Sequence, residues 1–358
     1  MTLRRSMPFW GRKVESAPVG PPTITTFGSL GGGNKYIGGA LGANGKIYCA
    51  PYDATRVLEI DPSTDSTALI GTTYASGGAK WHGCILAPNG CIYCAPFNAT
   101  QVLKINPLTG VTSLIGSTYS GSYKWSAAIL ANNGKIYCTP SAATQVLEID
   151  PATDTTTVFG SLGSGFKWYG GALAEDGNIY GVRFSSPSGT VLKIDPSGPT
   201  ASTFAGSGFG SQWVGGSLAN DGNLYGCRFN ANVYNKIDYR VPNETTVPGP
   251  AISPASSSFF GSVLGPNGKI YSSPHTATLL EELDPAGPTV TQYGSLTGSS
   301  KWAGIVLAPN GFLYGIPYAS ASILKIGNVG SVSSGMYTIP SPISGLSSSI
   351  YNRHQNKF

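Results

Sequence analysis

A chain of 358 residues, 41% of them hydrophobic and only 11% charged, has material for a large core and lacks the composition of a disordered chain. Its 49 glycines and 26 prolines suit short strands and tight turns rather than helices. The net charge of +5 sits at the ends, with Arg4, Arg5, Arg12 and Lys13 against Glu15 in residues 1–22 and Arg353 and Lys357 near the other end. The body between sums to zero, so there is no basic stripe and no nucleic-acid partner is expected. No apolar run reaches the length of a membrane span, and no apolar stretch of the Sec type follows the basic start.

Residues 1–22 read as a basic arm without periodicity. Thr23–Phe27 then matches, in composition, the end of a later repeat. From there one unit recurs seven times, marked by Asn44-Gly45, Asn89-Gly90, Asn133-Gly134, Asp176-Gly177, Asp221-Gly222, Asn267-Gly268 and Asn310-Gly311. The glycines are 45, 44, 43, 45, 46 and 43 residues apart, a period of propellers and other repeat arrays. Each unit has an apolar strand opened by an aromatic, then an Asn/Asp-Gly hairpin turn. A strand carrying Ile/Leu-Tyr follows, then a half-buried strand such as Val146–Ile149, an Asp-Pro turn and a Thr-rich strand. Four antiparallel strands per unit predict an all-β, seven-bladed β-propeller over residues 23–339, flanked by arms at 1–22 and 340–358.

The last unit supplies three strands of its own. Its fourth is expected to be Thr23–Phe27, with Gly335–Ile339 as the rival. The fifth unit is irregular, with the Pro- and Ser-rich Tyr239–Ser257 where a fourth strand belongs. The sixth opens with Phe259 in place of Trp or Tyr.

Several columns of the repeat carry chemistry. Lys35, Lys80, Lys124, Lys167 and Lys301 each precede the aromatic that opens a blade: Tyr36, Trp81, Trp125, Trp168 and Trp302. Gln212-Trp213 and Ser258-Phe259 complete that column. Such a rim, with Tyr52, Phe97, Phe184, Phe229, His275 and Tyr318 on the same face, could bind a sugar or an acidic peptide by stacking and cation–π contacts. The alternative is that the aromatics wedge between blades while the lysines lie over them. Arg183 and Arg228 stand where the other blades have proline. They could bind an anion or pair with surface acids. The small residue two after each opening aromatic, such as Gly83 or Gly215, is expected where inner strands crowd the axis. The recurring Asp61, Asp150, Asp195, Asp238 and Asp284 read as turn residues rather than calcium ligands. The three histidines are scattered, and the six cysteines show no metal-ligand spacing and read as buried thiols. No metal, no cofactor and no catalytic residue is expected.

The run Gly170–Tyr180 followed by Val191–Asp195 resembles the blades of NHL- and YVTN-type propellers over roughly residues 23–327. That resemblance implies the fold and is nearly silent on function. The Lys-Trp and Asn-Ala-Thr elements are similar to repeats of phage and protist proteins. The expected function is a non-enzymatic structural or attachment propeller. It would be a virion component, such as a phage capsid-decoration, tail or fibre protein, made in the cytoplasm and held to other proteins of the assembly by both arms. A lectin-like propeller binding a host-surface glycan, receptor or peptide is the alternative. A propeller hydrolase or lyase comes third, because acid–base candidates do not cluster.

Overall fold

In the computed structural model, residues 20–185, 189–206, 212–241, 243–248 and 258–331 are described; both basic arms, with Arg4, Arg5, Arg12, Lys13, Arg353 and Lys357, lie outside them. Among the described residues every regular element is a strand. The strands form seven four-stranded antiparallel sheets, six of them built in chain order from the axis outward. The seven-bladed propeller expected from the repeat is therefore the observed fold.

The innermost strands are Tyr36–Leu41, Trp81–Leu86, Trp125–Leu130, Trp168–Leu173, Trp213–Leu218, Phe259–Leu264 and Trp302–Leu307. They are almost wholly buried, whereas outer strands such as Ser66–Ile70 are mostly exposed or half-buried. That gradient explains the residue types. Continuous apolar runs sit where both faces of the sheet meet neighbouring blades, and Thr-rich runs sit where one edge meets water.

Closure follows the expected route. Thr23–Phe27 pairs antiparallel with Ile323–Gly327 as the outer strand of the seventh blade, so the start of the repeat locks its end. The rival segment, Gly335–Ile339, falls outside the described residues. The fifth blade departs from expectation. Asn243–Pro248, inside the stretch read as irregular, forms a regular fourth strand in register with Val233–Asp238. Its Glu244-Thr245-Thr246-Val247 core supplies the β-branched residues an outer strand needs, and the nearby prolines masked that signal.

On the face carrying the hairpin turns, side chains join blade to blade. Asn44 Nδ2 donates to the Tyr48 hydroxyl at 2.8 Å and to the Pro107 carbonyl of the next blade at 3.0 Å. Asn89, Asn133 and Asn310 repeat this onto Pro151, Pro196 and Pro62. The turn residue and the repeated tyrosine thus share one clasp, worth about 1 kcal/mol per net hydrogen bond. In the fourth and fifth blades Asp176 and Asp221 accept from Tyr180 and Tyr225, each at 2.8 Å, and a carboxylate has no N–H to pass to the next blade. The recurring aspartates, four of them followed by proline, are turn formers, as read: Asp61, Asp150, Asp195, Asp238 and Asp284 each accept from a backbone N–H two residues on. All six cysteines are buried free thiols.

Candidate functional site

The opposite face is organised by a defect built into every innermost strand. The pairing register slips just after the opening aromatic, for instance between His82 and Cys84 and between Val214 and Ser217. Gly83 and Gly215 occupy these bulges with φ of 65° and 71°. A Cβ on Gly83 would lie 3.1 Å from Cα of Ala127 in the next blade, and one on Gly215 would lie 2.9 Å from Cα of Gly261. The small column therefore has the cause expected of it, close approach of backbones near the axis.

The residue before that small position is Ile37, His82, Ser126, Tyr169, Val214, Phe260 or Ala303 in successive blades. Three of these meet across the axis. The His82 ring centroid is 5.4 Å from that of Tyr169 and 5.9 Å from that of Phe260, although the three come from the second, fourth and sixth blades. They plug the axis on this face. His82 is fully buried and its Nδ1 bonds the Ser126 carbonyl; burial lowers its pKa to about 3.

Around the plug runs a belt from the loops that follow the second strands. Tyr52 contacts Phe97 (6.1 Å) and Tyr318 (5.9 Å), Tyr318 contacts His275 (5.4 Å), His275 contacts Phe229 (6.3 Å), and Phe229 contacts Phe184 (5.5 Å). The third blade contributes Ser141 instead of a ring. There Tyr169 closes the belt, 4.5 Å from Phe184 and 5.9 Å from Phe97. Backbone bonds hold the belt rigid. The carbonyl of Tyr52, Phe97, Ser141, His275 or Tyr318 accepts the N–H of the lysine opening the next blade, at 2.8–3.1 Å across five blade junctions. The result is a shallow dish, with Tyr52, Tyr169, Phe184, Phe229, His275 and Tyr318 partly exposed in it.

Its own rings are held in uncharged forms, with the Asp53 carboxylate beside them. Burial, then the neighbouring Tyr318, Tyr169, Asp53 and Tyr123, raise the pKa of Tyr52; burial and Asp53 push Tyr318 up to about 12. Burial, then the Lys301 charge, lower His275 to about 4. At neutral pH the dish therefore offers uncharged rings, tyrosine hydroxyls and a neutral imidazole. The Asp53 carboxylate accepts the Ala79 N–H at 2.8 Å. Among the described residues no group of three or more His, Cys, Asp or Glu side chains comes together to hold a metal ion.

The lysine column stands on this face, but its ammonium groups are turned inward. Lys124 Nζ donates to the carbonyls of Phe97 and Gly121, Lys167 to Ala143 and Gly165, and Lys301 to Ala277 and Gly298, at 2.8–3.2 Å. Lys80 and Lys35 bond the carbonyls of Gly77 and Gly33. All five are buried, and burial lowers Lys124, Lys167 and Lys301 to about 8. The tryptophans wedge between strands: Trp81, Trp125, Trp168, Trp213 and Trp302 are buried, with each indole N–H on a carbonyl of its own blade at 2.8–2.9 Å.

Of the two arginines, Arg183 is buried with its guanidinium 4.9 Å over the Trp213 ring. Arg228 is fully buried and paired with the equally buried Glu281, so its partner is a core acid rather than a surface one. Of the sequence candidates, the column Tyr52, Phe97, Phe184, Phe229, His275 and Tyr318 forms the dish, whereas the lysines, tryptophans and arginines are buried beneath or beside it. The axial His82, Tyr169 and Phe260 were missed. Their signal was present as the one position of the inner strand that differs in every blade.

No known family model matches the chain, and no curated protein matches it in sequence. Its fold is similar to that of virginiamycin B lyase from Staphylococcus aureus, at 14% identity and a TM-score of 0.72, over 86% of this chain and 99% of that one. A streptogramin B lyase is similar at 16% identity and a TM-score of 0.71, over 86% and 97%. The extracellular domain of a hybrid two-component system from B. thetaiotaomicron is similar at 13% identity and a TM-score of 0.62, over 87% of this chain and 42% of that one. These likenesses establish the propeller fold. They also correct the expectation that the chain is not an enzyme, because this architecture carries lyases.

Proposed function

We propose that the chain is a recognition propeller whose axial dish binds a neutral, ring-bearing ligand, with a glycan as the class its chemistry fits. The observation that carries this is the closed belt of aromatic faces interleaved with tyrosine hydroxyls. A sugar ring presents apolar C–H faces and hydroxyl edges; the aromatic rings suit the first and Tyr52, Tyr169 and Tyr318 the second. The backbone-bonded belt is also preorganised, so little ordering entropy opposes binding. Attachment to a glycan-bearing surface, as part of a larger assembly such as a virion, is the setting in which such a face would serve, with the basic arms as anchors. Glycan-array binding followed by calorimetry on the hits tests the reading. Tyr52→Ala and Tyr318→Ala should each weaken binding about tenfold, the size of one lost ring contact. Absence of any neutral-glycan binding, or unchanged affinity in both variants, sinks it.

A lyase is the second reading, favoured by one feature. His275 stands in the dish in its unprotonated form down to about pH 4, with the Ser258 hydroxyl 3.4 Å from its Nδ1 and the Tyr318 ring 5.4 Å away. The lowered pKa keeps it free to accept a proton but makes it a weak base. One similar structure is a catalytically inactive histidine-to-alanine variant of virginiamycin B lyase with quinupristin. Incubation with quinupristin, followed by mass spectrometry, tests this reading. Turnover that disappears in His275→Phe supports it, and an unaltered compound removes it.

A further inference from the structure

The dish is not sevenfold symmetric, and its asymmetry points to the length of the ligand. The residue just before each opening lysine is Asn34, Ala79 and Ser300 in three blades but Tyr123 and Phe166 in the third and fourth. Both aromatics are 43% exposed, and they touch each other edge-on at 5.4 Å. Tyr123 also packs on Phe97 of the belt, 5.2 Å away at 77°, so the two rings form a wall continuous with the dish.

The backbone at Tyr123 makes this wall unexpected. Its φ is +56°, in the left-handed region that Ala79 and Ser300 also occupy at +47° and +49°. A bulky side chain is disfavoured there, and an exposed one gains little burial in return. Retaining a large, exposed aromatic at a strained position, beside a candidate site, is the pattern of a contact residue.

Beyond Tyr123 the same loop forms one side of a groove of about 450 Å³, a volume suited to a small ligand. Its lining includes Ser120, Ser122, Thr144, Gln145 and Tyr119, with Lys124 as its one charged side chain. That ammonium is already committed to the carbonyls of Phe97 and Gly121. The groove therefore offers hydroxyl and amide groups and no counter-charge for an ionic ligand.

We infer that the ligand is a neutral oligosaccharide rather than a single sugar. It runs from the axial dish over the Tyr123–Phe166 wall into the groove of the third blade. This rests on the glycan reading of the dish and adds two features to it, an extended ligand and a direction across the face.

The test uses the full chain and graded series of neutral oligosaccharides, one to six sugars long, of the malto, cello and chito types, with affinities from calorimetry. For the series that binds, affinity should rise by about tenfold or more between one and four sugars. Tyr123→Ala and Phe166→Ala should abolish that rise and leave single-sugar binding unchanged, whereas Tyr318→Ala should weaken both. Tyr123→Gly separates contact from architecture: it should match or exceed the parent in thermal stability and still lose the length dependence. Length-independent affinity, or a length dependence that survives Tyr123→Gly, overturns the inference and leaves the dish reading standing. No binding by any member of the three series, at any length, overturns the inference and counts against the dish reading as well.

Discussion

Glu281→Ala should be among the most damaging single changes in the molecule, and a double change should undo most of the damage. Glu281 and Arg228 are both fully buried. The carboxylate accepts from Arg228 Nε at 3.1 Å, from its Nη2, from the Tyr234 hydroxyl at 2.9 Å and from Gln292 Nε2 at 2.9 Å. Removing it takes the opposite charge from a buried guanidinium that also donates to the Asn232 carbonyl at 3.2 Å and lies over the faces of Tyr234 and Phe259. Breaking a buried pair in this way costs about 3–5 kcal/mol. At roughly 2 °C per kcal/mol for a large domain, the melting temperature should fall by about 6–10 °C. Arg228→Met combined with Glu281→Leu replaces both charges by apolar groups of similar volume and should come within about 1–2 kcal/mol of the parent. Tyr234 keeps Ser272 as a partner at 2.9 Å in that variant. Calorimetry and guanidinium unfolding of the parent, the single and the double variant read the comparison. A single variant within about 1 kcal/mol of the parent refutes the reasoning, as does a double variant no better than the single.

Acid should act through His275, whose pKa is lowered to about 4 in the fold against 6.5 in the unfolded chain. Between those values the unfolded state binds the proton and the folded state does not, so the His275 contribution to stability falls as pH drops from 6.5 to 4 and levels off below, and His82, lowered to about 3, acts in the same direction. The gap corresponds to about 3 kcal/mol, and His275→Phe, which places there the side chain of Phe184 and Phe229, should lessen the slope of stability against pH in that window by about that amount, the remaining slope belonging to the buried His82. A second measurement concerns closure: deleting residues 1–27 removes the outer strand of the seventh blade and exposes the edge of Ile323–Gly327. The shortened chain should lose several kcal/mol of stability or associate through that edge, and an unchanged unfolding midpoint and monomeric scattering would show that the strand is dispensable.

The fold was legible because one hairpin signal, Asn/Asp-Gly between apolar strands, repeats at a near-constant period. Closure by Thr23–Phe27 was legible for the same reason, as a fourth-strand sequence found ahead of the first blade. Glu244–Val247 was hidden because flanking Pro and Ser outweighed its three β-branched residues. The candidate site was harder, since propensity governs backbone and says little about which side chains meet across an axis. His82, Tyr169 and Phe260 lie 87 and 91 residues apart in sequence, and only closure of the ring brings them together. The lysine column was visible as a pattern, yet its inward direction depends on loop carbonyls whose positions no local motif encodes.

Seven copies in one chain act as controls on one another, and the junctions around the fifth blade show what such a comparison yields. At most junctions the lysine that opens a blade donates to carbonyls around its own junction. Lys124 reaches Phe97, Lys167 reaches Ala143 and Lys301 reaches Ala277, each in the preceding blade. The fifth and sixth blades open with Gln212 and Ser258 instead and bring no cation to that position. The two arginines occur one blade earlier in each case, and they reach forward: Arg183 covers Trp213, and Arg228 covers Phe259 and pairs with Glu281. A cation therefore spans these junctions too, with its direction reversed. The arginines that looked like an anion site and the two blades without an opening lysine are two halves of one substitution. What remains unmatched by any structural partner of this kind is the exposed pair Tyr123 and Phe166, and this is why the search for a ligand belongs on the third and fourth blades rather than on the fifth and sixth.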